Sequence, residues 1–158
     1  MKMLLAVTIL TALPGGSGSR AAFDELKKLE GTWESPDKDH PMKVTFRASA
    51  GGSVLMETMV FPGHPEMITM YHLDGDDLVL THYCKLGNQP RMRAGKDPKP
   101  GVVRFSYDGG TNLKPEDRHM HSLVVTLKDP DHLLEEWTLY NEGKKETDVT
   151  ISLVRKKD

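Results

Sequence analysis

The segment from Glu66 to Met92 constrains the fold of this chain more than any other. Asp74-Gly75 lies between two runs of residues that favour β-strands. An Asp-Gly pair suits a tight turn because both residues tolerate positive φ angles. The segment therefore predicts a β-hairpin with a two-residue turn, either at Asp74-Gly75 or at Gly75-Asp76. Because side chains alternate along a strand, either turn sorts them onto the same two faces.

One face of this hairpin ends in three leucines and is predicted to point inward. It carries Met67, Thr69, Tyr71, Leu73, Leu78, Leu80, His82 and Cys84. Tyr71, His82 and Cys84 would then project into the interior together. Such a cluster would either orient a ligand or bind a metal, or its groups would satisfy one another inside a packed barrel.

The chain after Gly31 is a succession of short strand-like runs separated by Gly, Pro, Asn and Asp. This pattern predicts about ten antiparallel strands. Before them, residues 22–30 place Phe23, Leu26 and Leu29 at helical spacing and predict a short amphipathic helix. Since no long helix is available to cover a sheet, we expect an all-β up-and-down barrel over residues 22–158, with a β-sandwich as the alternative.

Alternation along the later strands predicts which other side chains share faces. The sets are Val103, Phe105 and Tyr107; His119, His121, Leu123, Val125 and Leu127; Leu133, Glu135, Trp137 and Leu139; and Thr147, Val149, Ile151 and Leu153. A buried Glu135 would need a partner, because an unpaired buried charge is costly. Arg91, Arg93 and Arg104 are the candidate partners. For Glu57, an outward and solvated position is the favoured interpretation.

Residues 1–21 have the features of a signal peptide. Lys2 precedes an apolar run over residues 3–13, and small residues at Ser19 and Ala21 suit cleavage after Ala21. The run is too short to span a membrane. We therefore expect a periplasmic or secreted protein without a membrane anchor.

Composition excludes several classes of function. The formal net charge of -2 gives no basic surface for nucleic acid. Nine Met and seven His are residues that bind soft metals, but no metal-ligand spacing accompanies them, so no metal site is assigned. The single cysteine, Cys84, excludes an intrachain disulfide. No oxyanion hole or orienting acid marks Cys84 as a nucleophile, no catalytic residue is assigned, and no protein partner is indicated.

Gly31-Thr32-Trp33 resembles the G-x-W signature of the lipocalin and calycin superfamily. In that superfamily the Trp closes the barrel floor and packs under an Arg from the last strand, a place that suits Arg155 here. The short helix and the L-x-G-T-W context are similar to lipocalin-like domains of an uncharacterised exported bacterial family. They are also distantly similar to the ten-stranded barrels of the nitrobindin type.

The resemblance to nitrobindin implies a haem with a histidine axial ligand, and by facing alone His82 and His121 are the candidates. Other calycins imply fatty acids, retinoids, pigments or similar apolar ligands. The cofactor therefore stays open, with haem as one candidate.

The main hypothesis is an exported barrel that holds a small, largely apolar or amphipathic molecule. The residues expected to line its pocket are Tyr71, His82, Cys84, Tyr107, His121, Glu135 and Trp137. The alternatives are a haem-binding barrel and a small-molecule enzyme that uses a His/Glu acid-base pair; whether the protein is an enzyme is left open.

Overall fold

The structure, a computed structural model, describes residues 18–96 and 99–157 and closes ten antiparallel strands into a barrel. Helix α1 spans Gly18–Lys27, and a 3₁₀ turn covers Ala50–Gly52. The strands are β1 (Gly31–Glu34), β2 (Lys43–Ser49), β3 (Val54–Val60), β4 (Met67–Asp74), β5 (Asp77–Tyr83), β6 (Gln89–Ala94), β7 (Val102–Thr111), β8 (His119–Asp129), β9 (His132–Asn141) and β10 (Lys144–Arg155). The predicted all-β barrel with a short N-terminal helix is confirmed.

The barrel is up-and-down, since each strand pairs with its neighbour in sequence and β1 pairs with β10. Among the described residues this last pairing joins Trp33 to Arg155 and Glu34 to Val154, and goes no further. Most of β10 is therefore paired through β9 alone, and the barrel wall is open beside it. The connections β1–β2, β3–β4, β5–β6, β7–β8 and β9–β10 all lie at one end, which we call the open end.

The opposite end, the closed end, is built around Trp33 and Arg155. The Trp33 indole is fully buried and donates a hydrogen bond from Nε1 to the Leu29 carbonyl at 2.7 Å. The Arg155 guanidinium lies 4.2 Å from the centre of the Trp33 ring. It also donates to the carbonyl oxygens of Lys28, Glu30 and Pro130, each at 2.8 Å. Arg155 thus ties two chain segments, the one before β1 and the β8–β9 turn, to the barrel floor.

Helix α1 begins at Gly18 and ends at Lys27, whereas the sequence predicted a helix over residues 22–30. It buries Ala22, Phe23 and Leu26 in the core at the closed end. The predicted leader falls largely on residues 1–17, which lie outside the described residues, and residues 18–21 form the first turn of α1. Within the described ranges, no helix has the length and hydropathy that crossing a membrane requires.

The central hairpin turns at Gly75-Asp76, with Asp74 paired to Asp77, and Gly75 has a φ of 61°. This is one of the two turns predicted, and it keeps the predicted sorting of side chains. The inward face holds buried Met67, Thr69, Tyr71, Leu78, Leu80 and His82, with Leu73 and Cys84 half-buried. The prediction for this hairpin is confirmed.

Strand β8 departs from the predicted alternation. A β-bulge between Met120 and Ser122 makes His121 an extra residue opposite β9. Met120 lies across from buried Leu139 and points inward with it. His119, paired with Tyr140, therefore points to the opposite side from Met120. The prediction that it shares the inward face with the following residues of β8 is wrong for His119.

Replacing Arg155 with Ala should lower the free energy of unfolding by about 2–4 kcal/mol, since it removes charged hydrogen bonds and a cation–π contact together. Urea denaturation of the purified protein measures this. The control is Lys156→Ala, which breaks a solvent-exposed ion pair with Glu34 and should cost roughly 0–1 kcal/mol. Equal losses in the two variants would show that Arg155 does not hold the closed end.

Candidate functional site

Three polar side chains form a row across neighbouring strands inside the barrel. Glu57 on β3 is the cross-strand partner of Thr69 on β4, and Thr69 is the partner of His82 on β5. All three are at most 2% exposed. Glu57 faces inward because it alternates with outward residues of β3 in the same phase as buried Leu55 and Met59. Its cross-strand neighbours in the row face the same way. The outward, solvated position expected for Glu57 is therefore wrong.

Hydrogen bonds join this row to a neighbouring tyrosine. The Tyr71 hydroxyl donates to Glu57 Oε2 at 2.6 Å. Thr69 Oγ1 lies 3.0 Å from His82 Nδ1. The four side chains therefore make two hydrogen-bonded pairs, which the cross-strand pairing of Glu57 with Thr69 places side by side.

A second buried carboxyl, Glu135, lies on the other side of the interior. It is completely buried and accepts a hydrogen bond on Oε2 from Trp137 Nε1 at 3.1 Å. The Trp137 ring lies 4.8 Å from the His82 ring, between centroids, which joins this pair to the row. Arg91 and Arg93, two of the predicted partners of Glu135, instead bind surface aspartates.

Burial controls the charge of these groups. It raises the pKa of Glu57 to about 7, against the opposing effect of hydrogen bonds from Tyr71 and Thr69. Burial and the negative charge of Glu57 together raise the pKa of Glu135 well above its usual range. Burial lowers the pKa of His82 to about 4. At neutral pH the interior therefore holds an uncharged imidazole, and burial favours the protonated form of Glu135.

A cavity of about 350 Å³ opens at the open end of the barrel, and His82 and Trp137 lie at its inner end. Its lining is mainly apolar, as ligand pockets usually are. Besides Trp137, the apolar residues are Met59, Phe61, Met67, Leu86, Met120, Leu139, Val149 and Ile151. The other lining residues include His64, Cys84, Lys85 and Arg118, and Arg118 is paired with Glu146 at 2.6 Å.

Six buried side-chain polar atoms have no hydrogen-bond partner within the described part of the chain, and three of them lie in the polar interior: Glu57 Oε1, Glu135 Oε1 and His82 Nε2. Buried polar groups are nearly always paired, so each such atom needs an explanation. Of the three residues, His82 is the one that lines the cavity. Its free nitrogen is thus the polar group available to a bound molecule.

The sequence-predicted site residues fall into three separate groups. His82, Cys84 and Trp137 line the cavity, while Tyr71 and Glu135 lie one layer further toward the closed end. Glu57, Thr69, Met120 and Arg118 were not among the predicted pocket residues. Thr69 was already assigned to the inward face of the hairpin, so its cross-strand position next to His82 was the signal that could have added it.

Tyr107 and His121 form a different cluster with buried His119 and with Tyr140, across strands β7, β8 and β9. His121 stacks on Tyr140 at 3.7 Å and on Tyr107 at 4.9 Å between ring centroids. His119 Nδ1 donates to the Asp117 carbonyl at 2.6 Å, and His119 Nε2 lies 3.0 Å from His121 Nδ1. Neither Tyr107 nor His121 lines the cavity.

Nucleophilic and metal chemistry receive little support from this geometry. Burial raises the pKa of Cys84, so the reactive thiolate form is disfavoured. Among residues 18–96 and 99–157, no three His, Cys, Asp or Glu side chains come together as a metal site. The cavity is therefore mainly apolar, with the unpartnered His82 Nε2 at its inner end.

The raised pKa of Glu57 predicts a pH-dependent stability. Between the ordinary value of 4.5 and about 7, the folded state binds more protons at Glu57 than the unfolded state does. The contribution of Glu57 is thus fully present below 4.5 and is lost as the pH rises through 7. Between these pH values the free energy of unfolding should fall as the pH rises. Glu57→Gln should reduce this fall by up to about 1.4 kcal/mol per pH unit.

Urea denaturation across this pH range, as the difference between variant and wild type, measures the effect. The difference is needed because His82, whose pKa is lowered, has the opposite effect on the free energy of unfolding. Below pH 6.5 the unfolded state binds more protons at His82, so acidification destabilises the fold. The control is Glu136→Gln, at an exposed position on β9. Parallel curves for Glu57→Gln and wild type would mean that the folded state does not hold the extra proton.

No protein-family model matches the sequence, and no curated protein matches it either. Solved structures do share its fold. One is a protein of unknown function from the DUF3598 family of Nostoc punctiforme PCC 73102, with a TM-score of 0.55 and 13% identity, covering 82% of this chain and 48% of that one. Another is Rv2717c from M. tuberculosis, with a TM-score of 0.55 and 15% identity, covering 86% of this chain and 98% of that one. This chain spans about half the length of the DUF3598 protein. At these identities the likeness shows a shared barrel fold.

Proposed function

We propose that this protein binds a small, largely apolar molecule in the cavity at the open end of the barrel, with His82 as its polar contact. One observation carries the proposal: an apolar cavity of about 350 Å³ ends on a buried histidine whose Nε2 has no partner in the described structure. Pockets of roughly 300–1,000 Å³ with a few placed polar groups are typical of small-molecule sites.

The site is preorganised for such a molecule. The His82 ring is held by the hydrogen bond between Nδ1 and the Thr69 hydroxyl and by contact with Trp137, so its free nitrogen has a defined position. The methionines in the lining have flexible, polarisable side chains that adapt to an apolar ligand. Burial of apolar surface would supply the affinity, and His82 would supply the orientation.

A groove of about 710 Å³ adjoins the cavity, between residues 35–42 and β10. The groove and the cavity share Phe61, His64, Val149 and Ile151 in their linings. Because β1 covers so little of β10, the barrel wall does not separate them. A ligand longer than the cavity would extend sideways into this groove.

The site of action in this proposal is the periplasm or the cell exterior. The support is the signal-peptide pattern of residues 1–21, most of which lie outside the described residues. Mass spectrometry of the protein isolated from culture would identify the mature N-terminus.

Filling the cavity should abolish binding. Met120→Trp places a larger side chain in the lining, and it should weaken binding of the neutral dye N-phenyl-1-naphthylamine by about tenfold or more, which fluorescence titration measures. Met70→Trp is the matched control, since Met70 is also half-buried but points away from the interior. Equal binding by both variants would place the dye elsewhere. Turnover of a bound molecule that stops in His82→Phe would make the protein an enzyme.

Haem is a second candidate ligand, because His82 offers what an axial ligand needs: a neutral imidazole with an unpartnered Nε2 beside an apolar cavity. His82 would hold the iron, and haem would bring gas-binding or redox chemistry. His121, the other histidine considered, stacks on Tyr107 and Tyr140 and does not line the cavity.

Adding haem to the apoprotein should then produce a Soret band that His82→Phe abolishes and His121→Phe preserves. Absorption spectra of the three proteins provide the measurement. A spectrum of free haem with all three proteins would exclude haem and leave the colourless apolar ligand as the proposal.

A further inference from the structure

We propose that the cavity also holds a site for one soft monovalent metal ion, Cu(I) or Ag(I), on the sulfur atoms of Met59, Met67 and Cys84. We call these three residues the sulfur row. The proposal goes beyond the apolar ligand, because a metal ion bound to these side chains needs no other molecule in the cavity.

The sulfur row follows from the strand register. Met59 on β3 is the cross-strand partner of Met67 on β4. Further along β4, Ile68 pairs with Tyr83 of β5. The same register carried one residue further sets Met67 opposite Cys84. Side chains directly opposite each other have Cβ atoms about 4.5–5.5 Å apart, so three sulfur atoms in such a row can meet around one ion.

The sulfur row belongs to the lining of the cavity. All three of its residues line the cavity; Met59 and Met67 are buried, and Cys84 is half-buried with a free thiol. Two hydrogen bonds hold the backbone of Cys84, from its N–H to the Asn88 carbonyl at 3.1 Å and from the Gly87 N–H to its own carbonyl at 2.9 Å. The thiol therefore has a fixed point of attachment beside the two thioethers.

An unpartnered imidazole nitrogen lies one layer below the sulfur row. His82 is two residues before Cys84 and shares its face, so about 7 Å of strand separates them. Nε2 of His82 is buried without a hydrogen-bond partner among the described residues, and His82 lines the same cavity. A metal ion on Nε2 leaves the ring proton on Nδ1, where the Thr69 hydroxyl at 3.0 Å can accept it.

This set of ligands selects a soft ion. Thioether and thiolate sulfur favour Cu(I), whereas carboxylate and carbonyl oxygens suit hard ions. Methionine side chains are flexible enough to adjust to the geometry that the ion prefers. Residues 18–96 and 99–157 bring no three His, Cys, Asp or Glu side chains together, which argues against ions that need such ligands. It does not argue against an ion that binds thioethers.

The charge of the ion follows from the single thiol. Burial raises the pKa of Cys84, so the ion displaces a bound proton, which is released to solvent. A thiolate with a monovalent ion leaves the site neutral, whereas a divalent ion would leave an unpaired positive charge in an apolar interior. Of the basic side chains in the lining, Arg118 is paired with Glu146 at 2.6 Å and Lys85 is exposed.

Transfer of Cu(I) from the coloured chelator bicinchoninate, without oxygen and with ascorbate present, tests the proposal. The wild-type protein should take up one Cu(I) per chain. Cys84→Ala should weaken uptake by about hundredfold or more, since loss of even an outer partner of a metal ligand costs about 10–100-fold in affinity. Met67→Leu keeps the apolar volume but removes the sulfur, and should weaken uptake by about tenfold or more.

Met70→Leu is the matched control, because Met70 lies on the same strand but points away from the interior, and its uptake should equal that of the wild type. Equal uptake by Met67→Leu and Met70→Leu would overturn the proposal, since Cys84 would then bind copper as an isolated thiol. X-ray absorption at the copper edge should show sulfur and nitrogen neighbours, and a spectrum without sulfur neighbours would overturn it too. Binding of N-phenyl-1-naphthylamine by the metal-free proteins tests the apolar ligand separately, so the two proposals can fail independently.

Discussion

Closure of this barrel depends on Arg155. Because β1 pairs with β10 through just Trp33 and Glu34 in the described structure, backbone hydrogen bonds alone hold the seam weakly. Arg155 compensates by stacking on Trp33 and bonding to carbonyls before β1 and in the β8–β9 turn. The closing interactions are thereby concentrated at one end. The other end is free to remain open, and the cavity lies there.

The interior polar network has a cost that packing alone would avoid. Glu57, Thr69 and His82 occupy positions where apolar side chains would fill the barrel without desolvating any polar group. Their hydrogen bonds offset part of this cost, and burial keeps His82 and Glu135 uncharged. The remaining cost is that of the unpartnered atoms Glu57 Oε1, Glu135 Oε1 and His82 Nε2, and of these the His82 nitrogen belongs to a residue that lines the cavity. A structure under selection for stability alone would have no use for it, which is the reason to regard this end of the cavity as functional.

Sequence reasoning succeeded where local chemistry determines the geometry and failed where register does. The Asp-Gly turn sets the pairing of β4 with β5, so the inward face holding Tyr71 and His82 could be derived. No comparable signal sets the phase of β3, and a shift of one residue reverses its faces, so Glu57 was placed outside. The bulge at His121 depends on contacts between β8 and β9, which a single sequence does not display.

The weak seam has a further consequence for the behaviour of the protein in solution. Beyond the pairs with Trp33 and Glu34, the edge of β10 that faces the groove has no strand partner among the described residues. Such edges invite pairing with other chains and so promote aggregation, and charged side chains along a strand oppose this. Strand β10 begins with charged residues: Lys144, Lys145, Glu146 and Asp148. The same opening that would admit a long ligand is thus kept from becoming a template for intermolecular sheets.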